Sequence, residues 1–183
     1  MIILITGATH TGKTLLAQRL LERFHWPCLS VDHLKMGLIR SGQTSLTPAD
    51  DEALTDYLWP IVREMIKTAI ENEQNLIVEG CYVPFHWRRD FNEQYLPSIR
   101  FVCIAMTDPY LDAHFDDVRA HASAIEARLD DSGLSQEGLK RENRAYIEGF
   151  SSRGEAVFLI EDDYGSAITK LIHLLDGEKC DLP

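Results

Sequence analysis

Gly7-Ala8-Thr9-His10-Thr11-Gly12-Lys13-Thr14 is the stretch on which the reading of this chain turns. It spells G-x-x-x-x-G-K-[ST] in full. With glycine near its average usage, a chance match in a chain of 183 residues is roughly a one-in-a-hundred event. Its flanks suit it. Apolar Ile2–Ile5 precedes it, and Leu15, Leu16, Leu20 and Phe24 follow at helical spacing. Strand, glycine turn and helix start together make an anion cradle. Gly7 and Gly12 permit main-chain angles that turn successive N–H groups inward, and the helix from Lys13 adds its positive dipole end. Lys13 supplies a mobile charge for β- and γ-phosphates, and Thr14 a hydroxyl for Mg²⁺. The cofactors expected are therefore ATP and Mg²⁺, with nucleotide contacts from Gly7, Thr9, His10, Thr11, Gly12, Lys13, Thr14 and Leu15. The competing reading is a glycine-rich turn with an incidental lysine.

Outward from the loop, apolar runs at Ile2–Thr6, Cys28–Val31, Leu76–Glu79, Phe101–Met106 and Ala156–Ile160 read as strands. They do not alternate with polar residues, which is how strands buried on both faces of a parallel sheet look. Helices are expected over Lys13–Phe24, from Asp32 to Ser41, over Tyr110–Ala127, Ser135–Phe150 and Gly165–Leu175. A long one is expected to open at Thr47-Pro48 as hydroxyl cap and first-turn proline, and to reach about Glu73, bent or broken at Pro60. Alternating strands and helices predict right-handed crossovers and a doubly wound α/β sheet. The length fits one domain over residues 1–183.

Net charge is −11, the wrong sign for a protein that holds nucleic acid by its phosphates, so a small-molecule partner is expected rather than DNA or RNA. An anionic acceptor would need a local basic patch. The four cysteines are scattered and form no metal or disulfide pattern. No run approaches the ~18 apolar residues of a membrane span, and the expected location is cytoplasmic. Monomer and homodimer both remain open. Guanine recognition by N-K-x-D is missing, and the two D-x-x-G stretches, Asp130–Gly133 and Asp162–Gly165, come too late to be a switch after the third strand.

The loop at 7–14, Ser30-Val31-Asp32, the strand ending Glu79-Gly80 and the arginine-bearing helices after Asp108-Pro109 resemble, in order along the chain, the nucleoside-monophosphate-kinase-like branch of P-loop proteins. Within it the chain is most similar to small-molecule kinases: shikimate and gluconate kinases, antibiotic phosphotransferases, zeta-toxin-like kinases and 2-phosphoglycerate kinases. The resemblance implies a five-stranded parallel sheet of order 2-3-1-4-5, helices on both faces and a mobile helical lid.

The remaining candidates follow from position as well as resemblance. Asp32 stands where the second strand gives way to a helix, at the carboxyl ends of strands where ligands gather. There it would orient an attacking hydroxyl and take its proton, or else only cap the helix. Glu79 closes the third strand and suits Mg²⁺ coordination through water, or an ordinary ion pair. Tyr82–Arg89, aromatic and basic, reads either as an acceptor-pocket wall or as surface. Lys35 and Arg40 read as surface charge. Arg119 and Arg128 flank a lid expected at about 120–137 and would offset charge on the transferring group. The function implied is an ATP- and Mg-dependent transfer of a phosphoryl group to a hydroxyl or phosphate of a small acceptor. A nucleoside or nucleotide kinase, and a regulatory ATPase lacking such an acceptor, are the alternatives.

Overall fold

Five parallel strands, β1 (Ile2–Gly7), β2 (Cys28–Ser30), β3 (Leu76–Glu79), β4 (Ile99–Met106) and β5 (Val157–Ile160), pair in the order β2-β3-β1-β4-β5. This is the order the resemblance implies. The computed structural model describes residues 1–121 and 134–177.

The two-residue period of a strand sorts the apolar runs into two cores. Ile3, Ile5, Val102 and Ile104 face one way, onto α1 (Lys13–Phe24), α4 (Asp108–Ala120) and α6 (Tyr164–Leu175). Ile2, Leu4, Phe101 and Cys103 face the other way, toward α3 (Asp51–Glu71), and α2 (Val31–Arg40) adds Val31 to that side. Helix α5 (Gln136–Ser151) runs along β4 and serves both, with Leu139 in the first core and Phe150 in the second. Among the described residues, no helix is long and apolar enough to cross a membrane.

Three local expectations change. Helix α3 starts at Asp51, not after Thr47. The Thr47 N–H and hydroxyl both donate to the Asp50 carboxylate, each at 2.7 Å, so the polar residues expected to cap the helix close a turn before it instead. These bonds hold the Asp50 carboxyl below the usual carboxylate range. The helix then continues through Pro60 without a break. Pro60 and Asp56, whose carbonyl it deprives of a donor, both lie on the exposed side, where water can satisfy the oxygen. Third, α4 opens at Asp108, with the Thr107 hydroxyl accepting from the Tyr110 N–H. Most of the expected lid, Arg128 included, lies outside the described residues.

The Tyr82–Arg89 segment divides. Trp87 is fully buried, stacked on Phe101 with centroids 5.0 Å apart and edge-on to Phe91. Arg88 lies over the Trp87 ring and grips buried Glu155 with two N–H groups. Its guanidinium is thus committed to the fold and not to a ligand. Trp87→Ala should remove this aromatic wedge and lower unfolding free energy by about 3–5 kcal/mol, read from the urea midpoint. An unchanged midpoint would show that the ring does not carry the packing.

Candidate functional site

The carboxyl end of β1 runs into the glycine turn at Gly7, which pairs with Ile104 on β4. A Cβ on Gly7 would lie 2.1 Å from the Ile104 carbonyl oxygen, and its φ of 148° is strained for any other residue. Gly12, at φ 82°, has its own missing Cβ position filled by the Tyr164 hydroxyl at 1.7 Å. Glycine is needed at both ends of the loop because neighbouring main chain and side chain stand where a methyl group would go.

Within the loop the Lys13 ammonium, only 8% exposed, donates to the Ala8 carbonyl at 2.6 Å. The Thr11 hydroxyl donates to the same oxygen at 2.9 Å. His10 takes a left-handed conformation, and its Nδ1 meets the Thr9 hydroxyl at 2.9 Å. The Thr9 main-chain N–H donates to the Glu142 carboxylate of α5 at 2.7 Å. Parallel pairing sets Glu79 beside Ile5, and the Thr14 hydroxyl donates to Glu79 Oε2 at 3.3 Å.

Thr14 and Glu79 are a fitting pair for Mg²⁺, which takes hard oxygen donors and is held in such sites by one or two protein groups plus phosphates and water. Glu79 is 1% exposed and its carboxylate points at Thr14, at the mouth of the cradle. Among the described residues no group of three or more His, Cys, Asp or Glu could hold a metal unaided, and a phosphate-bound Mg²⁺ does not require one.

The loop opens onto a cleft of about 1870 Å³. Leu15, Arg19, Tyr110, His114, Asp162 and Tyr164 line it from α1, α4 and the start of α6, the α4–α6 wing. Asp32, Lys35, Arg40, Asp51, Thr55 and Tyr82 line it from α2, α3 and the segment after β3, the α2–α3 wing. Thr9, His10, Gly12, Lys13 and Thr14 line it from the loop itself. Gly7, Thr11 and Glu79 are not on it; they sit beneath, shaping the loop and backing Thr14.

Asp32 occupies the first turn of α2, and Ser30 is the residue at the cap, so Asp32 does not cap the helix. The Lys35 ammonium donates to Asp32 Oδ1 at 2.5 Å and to the Tyr82 hydroxyl at 2.9 Å. Tyr82 in turn donates toward Asp51 at 3.4 Å. The Lys35 side chain is 12% exposed, so it is not the solvated surface charge its position in the sequence suggested. Burial works against its charge, yet the bonds to Asp32 and Tyr82 outweigh it and hold its pKa above the ordinary lysine value. Burial pushes the neighbouring Cys81 thiol up to about 11, with Lys13 and Lys35 opposing, and Asp32 and Glu142 reinforcing, that rise. Such a thiol is a packing group, not a nucleophile.

Arg119 is exposed on α4 and is not part of the cleft wall. The α4 face that lines the cleft carries His114, Asp117, Val118 and His121. His114 Nδ1 meets Asp117 at 3.2 Å, and His121 Nδ1 meets the Asp117 carbonyl at 2.8 Å. From α5, Arg141 lines the cleft while Arg144 turns away to pair with Asp108. Glu142 and Tyr164 are not among the candidates that the sequence marks. Glu142 stands four residues before Tyr146, on the same helical face, so its one local signal is a place beside an aromatic residue that packs against the core.

No family model matches this chain, and no curated protein matches it in sequence. Solved structures match its fold. A shikimate kinase from Bacteroides thetaiotaomicron aligns over 97% of this chain and 99% of its own, with TM-score 0.58 and 16% identity. A sugar kinase from Janibacter sp. aligns over 96% and 94%, with TM-score 0.57 and 14% identity. A deoxyadenosine kinase from M. mycoides aligns over 96% and 99%, with TM-score 0.57 and 13% identity. At these identities the likeness is one of fold, and the expected fold, a five-stranded parallel sheet of order 2-3-1-4-5 with helices on both faces, is what this chain has. The geometry of the loop makes its own prediction: Gly7→Ala should cost at least about 2 kcal/mol of stability, from main-chain strain and the clash with Ile104, as a lowered thermal midpoint. A variant as stable as the parent would contradict the close approach.

Proposed function

We propose that this protein is a phosphotransferase that moves the γ-phosphoryl group of ATP, with Mg²⁺, to a hydroxyl or phosphate oxygen of a small molecule. The observation that carries the reading is the meeting of two different constellations on one cleft: a phosphate cradle with its lysine and threonine, and an Asp32–Lys35–Tyr82–Asp51 network that the cradle does not need. A nucleotide switch has no use for the second.

In this reading the triphosphate lies along the loop, and Lys13 turns from the Ala8 carbonyl to the β- and γ-phosphates. Mg²⁺, when bound through the Thr14 hydroxyl and by way of water through Glu79, would draw charge from the phosphate oxygens. The nucleoside takes the α4–α6 wing, which leaves the α2–α3 wing for the acceptor. Asp32 accepts a hydrogen bond from the attacking hydroxyl and aligns it. The acceptor oxygen forms its bond to the γ-phosphorus as the bond to the β–γ bridging oxygen breaks, ADP leaves with that electron pair, and the hydroxyl proton passes to Asp32. Lys35 acts through Asp32, fixing the position of the carboxylate.

Because Lys35 is already bound to Asp32 and Tyr82, and Arg19 stands on the nucleoside side, Arg40 and Arg141 are the arginines among the described residues of the cleft wall that would meet an anionic group on the acceptor. Arg119 and Arg128 keep the role of transition-state cations only if binding of substrates brings them over the phosphates.

Acceptor-stimulated ADP release, measured over a panel of hydroxylated metabolites, antibiotics and nucleosides, tests the reading. Lys13→Ala should bring turnover to background. Asp32→Asn should leave the KM for ATP within about twofold and lower kcat at least about 100-fold. Near-normal turnover in Asp32→Asn would remove Asp32 from the chemistry. A panel in which no compound raises ADP release above the Lys13→Ala blank would sink the acceptor.

A further inference from the structure

The phosphate loop of this protein already holds an anion, and that anion is its own. The Thr9 N–H, on the main chain of the loop, is bonded to the Glu142 carboxylate at 2.7 Å, across 133 residues of sequence. Lys13, the cation of the same cradle, donates to the Ala8 carbonyl. Glu142 also lines the central cleft, and its charge, like those of Lys13, Asp32 and Lys35, is felt at Cys81. It therefore shares the cleft with both the cradle and the acceptor side.

We infer that Glu142 is an internal competitor for the terminal phosphate of the nucleotide, satisfying the cradle and leaving it only when a triphosphate arrives. The inference rests on the proposed function, since it concerns the donor site of that reaction. A carboxylate and a triphosphate held at close range on one loop repel each other, and an N–H shared between two acceptors bonds each more weakly. Binding therefore favours displacement of Glu142 from Thr9, and the bond given up is a charge-assisted hydrogen bond, the stronger kind.

The displacement is made by the side chain, not by its helix. Asn143, the next residue, is 1% exposed and accepts from the Met106 N–H at 2.7 Å while donating to the Leu139 carbonyl at 2.8 Å. Leu139 and Phe150 anchor the same helix in the two cores. α5 is thus tied to β4 beside Glu142, and the carboxylate can swing into the cleft while its backbone stays. Arg141, on the cleft wall next to it, is a cation the released carboxylate can approach.

Glu142 is therefore a positioning residue whose removal should improve donor binding. The test is calorimetric titration of the full chain with the non-hydrolysable β,γ-imido analogue of ATP and Mg²⁺, and separately with inorganic tripolyphosphate, comparing the parent with Glu142→Gln and Glu142→Ala. Both variants should bind both probes at least about tenfold more tightly, the usual scale for removing one competing charged hydrogen bond. A gain of affinity is not what a merely weakened fold produces. If the parent binds and neither variant binds more tightly, the inference is wrong while the phosphotransferase reading stands. If parent and variants alike fail to bind either probe at millimolar concentration, the nucleotide reading fails and this inference falls with it.

Discussion

Gly7 lies so close to the Ile104 carbonyl oxygen that only a hydrogen fits between them, and the rest of the site is arranged around that approach. It locks the start of the loop to the middle of the sheet, where β1 lies between β3 and β4. From there the chain turns through Gly12, itself pressed against Tyr164, and enters α1 with Lys13 and Thr14 at its first positions. The same central place of β1 brings Glu79 of β3 under Thr14, because parallel pairing sets Ile5 level with Glu79. A loop fixed this closely on both sides presents its donors in one arrangement, and a preorganised arrangement is what electrostatic stabilisation of a phosphate requires.

Several of the charges in this acidic protein are held in pairs. Lys35 is held by Asp32, Arg88 by Glu155, Arg144 by Asp108 and Lys140 by Asp112. The cradle obeys the same rule, with Lys13 turned onto a carbonyl and the Thr9 N–H onto Glu142. In the proposed reaction substrates enter by exchanging these internal partners for external ones. The net cost of binding is then the difference between two sets of interactions, not the full cost of desolvating a bare charge. That exchange is how a protein of net charge −11 would admit the polyanionic ligand of the proposed reaction, since beyond a Debye length the overall charge is largely screened.

The parts of the fold that can be read from the chain are those governed by near neighbours. Helix α1 has the bounds its apolar spacing predicts, and β3 runs from Leu76 to Glu79 as expected. Each is marked by a period and a terminator within a dozen residues. The start of α3 departs from expectation because the Thr47 hydroxyl and N–H donate to the Asp50 carboxylate in the turn before the helix, so neither side chain caps it, and that turn depends on the path of the chain leading into it. Trp87 and Arg88 read as a possible pocket wall because aromatic and basic residues side by side resemble a ligand site. Whether such a pair faces a ligand or a core depends on what packs over it, here Phe101 and Glu155.

The sequence by itself determined the glycine loop between β1 and α1, the sheet class and the place of Asp32 just after β2, since each is written in adjacent residues whose geometry follows from main-chain sterics and side-chain period. Only the tertiary structure decided which charges meet. Lys35 with Asp32 and Tyr82, Glu142 with Thr9, and the place of Arg119 off the cleft wall all join or separate residues through the course of the intervening chain. A charged side chain carries no mark of its partner in its neighbours along the sequence, because a partner is chosen by distance in space and by burial, and folding alone sets both.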